Sequence, residues 1–173
     1  MPRPEAPAPD YAALKAYIVG NAATAAPWGE GNNQAVADLL NEPAEAVFQP
    51  VASRVLLSFA AATGIFAQII QGRTNPNAAI ASICEAAYIM VSREDTTLDL
   101  ADPDHLAMVH ALATGLVITG DASAADAGDP DPTATGTDDL TKIRVLCSAL
   151  AGYFEASHGR QASLDDIRAA RAA

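Results

Sequence analysis

Apolar residues return every three or four positions along most of this chain, and that spacing places them on one side of an α-helix. The pattern is fullest in residues 50–71, where it predicts one long central helix. Its members are Val51, Val55, Leu56, Phe59, Ala62, Phe66, Ile69 and Ile70. No two segments alternate apolar and polar residues as a convincing pair of strands would. The sequence therefore predicts an all-α protein.

Capping signals divide the pattern into six or seven helices. Asn75-Pro76 and Asp102-Pro103 each combine a capping side chain with a proline suited to the first helical position. Ser163 and Asp166 have the spacing of a capping box. The predicted helices cover residues 10–20, 33–41, 50–71, 76–92, 102–118, 137–157 and 163–173, with helical turns at 45–48 and 122–127. Loops are expected at residues 21–33 and 128–136, and a brief extended segment within residues 93–101.

The 173 residues fit one domain, which we expect to span residues 10–173 as a single helical bundle. Residues 1–9 contain four prolines and should form a flexible, mobile arm rather than a helix. This arm lacks the apolar centre of a signal peptide. The most apolar stretch, Val55–Ile70, is shorter than the roughly 20 residues a membrane span needs, so it predicts a buried core helix.

Alanine dominates the apolar residues, whereas the chain has four Phe, four Tyr and one Trp. Alanine favours helices but buries little area. Alanine-rich helices pack closely, but each contact between them buries little apolar area and therefore contributes little free energy. We therefore expect neighbouring helices, in the same chain or in another copy, to supply part of the burial.

The chain is acidic, with 21 Asp and Glu against 10 Lys and Arg and a net charge of −11. A protein that binds nucleic acid normally carries a basic face. Direct nucleic-acid binding is therefore not expected, and neither is a membrane association. The acidity favours solubility and suits a basic partner.

No catalytic, cofactor-binding or metal-binding residues are predicted, and the chain is expected not to be an enzyme. Motifs for a P-loop, a dinucleotide fold, a zinc protease or a nucleophile elbow are missing from the sequence. His105 and His110 are five residues apart and point in different directions from a helix. Asp102 and Asp104 beside His105 are better explained by helix capping than by a cation. Residues 128–136 do not match a calcium loop, although a weak, irregular site there stays open.

Three further residues have structural interpretations. Cys84 and Cys147 lie in apolar helical segments and are predicted to be buried thiols. The sequence leaves open whether they form a disulfide. Reducing conditions in the cytoplasm are the default for such a chain. Trp28, the one tryptophan, is expected to fix the 21–33 loop onto the core.

Two segments carry a family resemblance. The first is LKAYIVGNAATAAPW…NNQAVADLLNEPA, residues 14–44, and the second is LAGYFEASHGRQASLDDIRAARA, residues 150–172. Together they resemble small helical proteins of tailed-bacteriophage structural gene clusters. These often open with a helix before an AVADLLN helix and close with a Gly turn before an S-x-x-DI-x-x-AR helix. The resemblance covers about a third of the chain.

The resemblance implies a virion structural protein, assembled in the host cytoplasm, with a place at the head–tail junction or in the tail. A neck adaptor subunit in a homo-oligomeric ring, touching portal or tail components, is the leading interpretation. Alternatives are a soluble tail assembly chaperone, or a small helical binding module or enzyme with an unusual site. The chain should need no cofactor in the leading interpretation.

Overall fold

The structure is a computed structural model that describes residues 9–173, so the predicted arm at residues 1–9 lies, except for Pro9, outside the described residues. The described chain is mostly helical, which confirms the all-α class at that coarse level. Its helices are α1 (Tyr11–Gly20), α2 (Ala22–Gly29), α3 (Asn33–Asn41), α4 (Ser53–Thr63), α5 (Ile65–Gly72), α6 (Ala78–Ser92), α7 (Pro103–Thr114), α8 (Asp139–Leu146), α9 (Tyr153–His158) and α10 (Leu164–Ala172). Its short strands are β1 (Glu45–Phe48), β2 (Val51–Ala52), β3 (Thr97–Leu98) and β4 (Ser148–Ala151).

Two compact units divide the chain. Unit 1 is the described part of Met1–Ala46 together with Leu150–Ala173, and unit 2 is Val47–Ala149. Unit 1 contains α1–α3, α9 and α10, and unit 2 contains α4–α8. The single domain expected for residues 10–173 stays a prediction.

Unit 1 is a small helical cluster around one core. Its helix α10 packs against α1 and α3, and α3 also packs against α2 and α9. The fully buried side chains include Ile18, Val36, Leu40, Phe154 and Ile167. Trp28 lies in α2 and packs on this core, which is the place the sequence predicted for it. The residues around Trp28 form a helix, however, because Asn21 caps an alanine-rich segment that extends to Pro27 and Gly29.

Unit 2 is built around α4, α5 and α6, which all pack against one another, with α7 against α6 and α8 against α7. Its buried side chains include Leu56, Ile69, Cys84, Leu112 and Ile143. Leu56 and Ile69 belong to the apolar stripe predicted over residues 50–71, and Cys84 is buried as predicted. The larger core of the protein therefore lies in this unit.

The long helix predicted over residues 50–71 is wrong in two respects: residues 51–52 form β2, so that the helix begins at Ser53, and it is broken into α4 and α5. Gly64 adopts a left-handed conformation with φ 84°, which ends α4, and the two helices bend by 93°. The apolar spacing continues through the break because α4 and α5 each bury an apolar side of their own. No single described helix is long and apolar enough to cross a membrane, and the α4–α5 pair meets that test only as a bent pair.

The long helix predicted over residues 137–157 is also broken. Asp138 caps α8, which ends at Leu146, and β4 follows before α9 begins. Gly152 explains part of the break. A Cβ at this position would lie 2.5 Å from the carbonyl oxygen of Leu40, so the backbone there passes too close for a side chain.

The expectation of no strand pair was wrong, although the strands are short. β1 pairs with β4, so residues 45–48 are extended rather than a helical turn. β2 pairs antiparallel with β3, with Val51 opposite Leu98 and Ala52 opposite Thr97. The extended segment predicted within residues 93–101 is confirmed by β3. These breaks, and α2, raise the helix count in residues 9–173 to ten, compared with the six or seven expected.

Candidate interaction surface

The solvent side of α4, α5 and α6 is unusually poor in charge. Between Val55 and Ser92 the sequence contains two charged residues, Arg73 and Glu85, in a chain that carries 31 charged residues in all. The three helices pack against one another. We call the exposed and half-buried positions of residues 55–92 together the α4–α6 surface.

Several large apolar side chains of this surface are exposed to solvent. Ile70 on α5 is 43% exposed and Ile89 on α6 is 45% exposed, with Val55 and Leu57 on α4 also exposed. Other exposed positions are small or uncharged: Ser58, Ala61, Ala62, Ala67, Gln71, Ala79, Ser82 and Ala86. An exposed apolar surface bordered by polar residues is the usual mark of an interaction site.

The two charges in this stretch neutralise each other. Arg73 Nε donates to Glu85 Oε2 at 2.5 Å, and the guanidinium of Arg73 lies 4.0 Å from the ring centre of Tyr88. Tyr88 also stacks with Phe66, with ring centres 6.1 Å apart. The surface therefore presents an ion pair and two aromatic rings already joined to one another, with no excess charge of either sign.

Beneath the same helices lies a cavity of about 30 Å³. Every side chain around it is apolar, including Leu56, Ala60, Met90, Val109 and Ile143. A void of this size holds about one or two waters at most, and apolar walls give water no hydrogen bonds. The cavity is a gap in packing rather than a pocket for an organic substrate.

Most Lys and Arg side chains in the described part of the chain lie in internal ion pairs. Of the nine Lys and Arg residues within residues 9–173, six contact a carboxylate within 4 Å. These are Arg73 with Glu85, Arg93 with Asp95, Lys142 with Asp139, Arg144 with Asp126, Arg160 with Asp166 and Arg168 with Asp165. Few basic side chains are consequently left to compensate the surplus of Asp and Glu.

The Asp102–His105 cluster forms a helix cap in the structure. The side chain of Asp102 accepts from the backbone N–H of Asp104 at 2.9 Å, as the capping interpretation predicted. His105 Nδ1 lies 3.3 Å from the backbone of Asp99. His110, which is in the same helix, approaches the carbonyl oxygen of Ala127 instead. Within residues 9–173 no three His, Cys, Asp or Glu side chains come together to hold a metal ion.

The 128–136 loop is held by its contacts with α8 and β4. The buried Arg144 donates through Nε to the carbonyl oxygen of Asp129 at 3.1 Å, and its Nη1 lies 3.7 Å from the carboxylate of Asp126. The backbone N–H of Asp131 donates to Ser148 Oγ at 3.0 Å. The Asp131 carboxylate accepts from Thr133, and this bond lowers the pKa of Asp131. The aspartates thus shape and anchor the loop.

The two cysteines are free and buried, so they do not pair in this structure. Burial raises the pKa of Cys147 to about 12, with a further contribution from Asp99, and burial also raises the pKa of Cys84. Thiols with raised pKa values are poor nucleophiles at neutral pH. His158 ends α9, where its ring lies 4.5 Å from that of Phe154.

A buried polar network around α10 goes beyond what the sequence indicated. The capping box of Ser163 and Asp166 is present as predicted. Asp166 also accepts from Arg160 at 2.7 and 2.8 Å and from the Tyr11 hydroxyl at 3.1 Å. Asp165, the neighbouring residue, is exposed and pairs with Arg168. All donors to Asp166 are side chains or backbone of unit 1, so this network stabilises the unit.

No protein-family model, curated protein or solved structure matches this chain. The α4–α6 surface is consequently the feature of the molecule from which a function is inferred.

Proposed function

We propose that this chain is a non-enzymatic structural protein of a tailed-phage virion, a subunit of the head–tail connector ring at the neck. The observation that carries the proposal is the α4–α6 surface, an exposed apolar area without excess charge on a protein of net charge −11. The resemblance of residues 14–44 and 150–172 to phage structural proteins supplies the setting. The protein would assemble in the host cytoplasm and remain in the virion.

Ring subunits need wide faces that other subunits cover. Interfaces between permanently associated subunits are more apolar than ordinary protein surface and are depleted in charge at their centre. The exposed Val55, Ile70 and Ile89 give α4–α6 that character. A closed ring uses two such faces on every subunit, one for each neighbour.

The charge distribution supports protein partners rather than DNA. A DNA-binding surface needs several unpaired basic side chains directed at phosphates, whereas six of the nine Lys and Arg residues in residues 9–173 contact carboxylates. We therefore propose contacts with portal or tail proteins and no direct contact with nucleic acid.

The native mass of the purified protein tests this proposal. Light scattering across a concentration series, followed by negative-stain images, should reveal a closed ring of identical subunits. A protein that stays monomeric or dimeric throughout contradicts the ring. Such a protein, if it also captured an apolar peptide, would instead be the soluble tail assembly chaperone, because the same surface suits an apolar client. Turnover of a substrate would contradict both.

A further inference from the structure

We propose that Tyr17 and Tyr153 form a site of oxidative cross-linking, at which a haem peroxidase with hydrogen peroxide joins the two phenol rings into one dityrosine. The site lies within unit 1, because Tyr17 is on α1 and Tyr153 is the first residue of α9. The inference goes beyond the proposed function and does not depend on it, since it concerns a modification inside one chain.

The rings of Tyr17 and Tyr153 lie face to face. Their centres are 3.5 Å apart and their planes are inclined by 8°. Carbon atoms in van der Waals contact are about 3.5–4.0 Å apart, so two nearly parallel rings at this distance overlap with little sideways offset. Carbon atoms of one ring therefore face carbon atoms of the other.

This arrangement differs from ordinary aromatic packing. Aromatic pairs prefer an offset or edge-to-face arrangement, with ring centres about 4.5–7 Å apart. Phe66 and Tyr88 lie within that range, with ring centres 6.1 Å apart. Tyr17 and Tyr153 lie closer, and Asn21 Nδ2 donates to the Tyr17 hydroxyl at 3.2 Å, which helps to fix that ring. Attraction between the two rings alone does not explain their full overlap.

Face-to-face overlap is the approach by which two tyrosyl radicals couple. Each phenol gives one electron to the oxidised peroxidase and one proton to water, and the resulting radical shares its unpaired electron with the ring carbons ortho to the oxygen. One C–C bond then forms between an ortho carbon of each ring. Each of these carbons loses its hydrogen as a proton while each oxygen takes one up, so both rings become aromatic again. Two tyrosines and one hydrogen peroxide thus give one dityrosine and two waters.

Both tyrosines are in reach of an oxidant in solution. Each side chain is half-buried, with one part packed on the core of unit 1 and another part in solvent. Burial raises the pKa of Tyr153, and Tyr17 and Glu45 raise it further. The phenol of Tyr153 is therefore protonated at neutral pH, and its proton leaves together with the electron.

The other tyrosines provide a contrast within the same chain. All four tyrosines lie within residues 9–173, and among these described residues ring stacking joins one tyrosine to another only at Tyr17 and Tyr153. Tyr11 donates its hydroxyl to Asp166, and Tyr88 stacks with Phe66, which has no phenol to oxidise. Oxidation of the folded protein should therefore select the Tyr17–Tyr153 pair.

A link at this site would tie α1 to α9, which are far apart in the sequence. A cross-link between distant residues stabilises a fold mainly by restricting the unfolded chain. Protein that carries the link should consequently unfold at a higher denaturant concentration than untreated protein.

Peptide mapping after treatment with a haem peroxidase and hydrogen peroxide tests the proposal. Trypsin cuts after Lys and Arg, which places the four tyrosines in four different peptides: residues 1–15, 16–54, 74–93 and 145–160. The expected product is peptide 16–54 linked to peptide 145–160, lighter by two hydrogen atoms than the two peptides together. It should come from protein that still runs as a single chain on a denaturing gel and that shows dityrosine fluorescence.

Conservative variants supply the matched controls, with circular dichroism to confirm that each is folded. Tyr17→Phe and Tyr153→Phe should each reduce the linked peptide to background, because phenylalanine keeps the ring but forms no phenoxyl radical. Tyr11→Phe and Tyr88→Phe should leave its yield unchanged.

Wild-type protein treated in urea should lose the preference for this pair, because the stack is then broken. Absence of the linked peptide, a link found only between two chains, or an equal yield in urea would each overturn the proposal. The wild-type map decides among these outcomes even if a phenylalanine variant fails to fold.

Discussion

The guanidinium of Arg160 lies against the carboxylate of Asp166 in a two-pronged ion pair, with Nη1 2.7 Å from Oδ2 and Nη2 2.8 Å from Oδ1. Asp166 is 2% exposed and also accepts from Ser163 and Tyr11. A buried carboxylate is stable only when its oxygens are satisfied in this way. The pair thus ties the loop before α10 to that helix and to α1.

We expect Asp166→Asn to lower the free energy of unfolding by about 2–3 kcal/mol, because hydrogen bonds to a charged group contribute more than neutral ones. Chemical denaturation of both proteins measures the difference. The matched control is Asp165→Asn, one residue earlier, where the carboxylate is exposed and pairs with Arg168. That change should cost less than about 1 kcal/mol. Similar losses in the two variants would contradict the importance of the buried network.

Asp166 should also make the stability of the folded protein depend on pH. The hydrogen bonds from Arg160 hold the pKa of Asp166 well below its ordinary value of 3.8, with Ser163 and Tyr11 adding to the effect and burial opposing it. A carboxyl whose pKa is lower when folded stabilises the protein above its unfolded pKa, and this contribution is lost as the pH falls. Unfolding measured between neutral pH and about pH 3 should therefore show a loss of stability below about pH 4. The loss should be smaller in Asp166→Asn, and an unchanged slope would contradict this role.

Gly72, the last residue of α5, is packed against Cys84 of α6. A Cβ on Gly72 would overlap the Sγ of Cys84. Gly72→Ala should therefore lower the free energy of unfolding by about 1–3 kcal/mol, although alanine is the better helix former. Gly29→Ala is the control, since Gly29 also ends a helix and a Cβ there meets nothing within 4 Å. It should raise stability by up to about 1 kcal/mol.

A double-mutant cycle identifies the cause. Cys84→Ala removes the sulfur that the new methyl group meets, so the double variant should lose less stability than the two single changes added together. Additive losses would show that the Gly72 substitution acts through something other than this contact.

Leu116 has a left-handed backbone, with φ 57°, and its side chain is 90% exposed. This conformation costs a leucine about 1–2 kcal/mol, whereas asparagine adopts it more readily. Leu116→Asn should raise the free energy of unfolding by about 1 kcal/mol. Leu150 is a half-exposed leucine that is not among the described non-glycine residues with positive φ, so Leu150→Asn should give no such gain. A loss of stability in Leu116→Asn would contradict the strain.

Local signals in the sequence predicted the helix starts well. Asp10 caps α1, Asp102 caps α7, and Ser163 forms its capping box with Asp166, because each signal acts within one turn of the backbone. Asn77 caps α6, two residues after the predicted cap at Asn75. Capping chemistry therefore located these helices to within one or two residues.

The breaks inside the predicted long helices depend on tertiary structure. Apolar spacing continues across Gly64 because α4 and α5 each bury their own stripe. The strand β4 follows α8 where Gly152 passes close to Leu40, an approach between residues far apart in sequence. The spacing of apolar residues alone therefore predicts neither the break at Gly64 nor the strand β4.

The low charge of the α4–α6 surface is visible in the sequence, but the assignment of helices did not use it. Residues 55–92 contain only Arg73 and Glu85 as charged residues, which is visible by counting. The sequence did not show which uncharged residues face solvent, and the prediction assigned the apolar ones to the core. Val55 and Ile70 were among the residues counted toward the buried stripe, yet both are exposed. A surplus of apolar residues over what one helix face can bury is thus the feature that indicates a docking surface.

The cavity beneath α4–α6 provides a last prediction about packing. Val109 on α7 lines the void of about 30 Å³ and is itself buried. Val109→Ile adds one methyl group for which this space provides room, so the free energy of unfolding should rise by about 0.8 kcal/mol. Val36, which is fully buried in unit 1 and does not line this cavity, is the control. Val36→Ile should instead lower stability by about 1–3 kcal/mol, because a close-packed core must shift to admit the extra group. Thermal and denaturant unfolding of the two variants tests the contrast, and a loss of stability in Val109→Ile would mean that the void cannot take the added methyl group without strain.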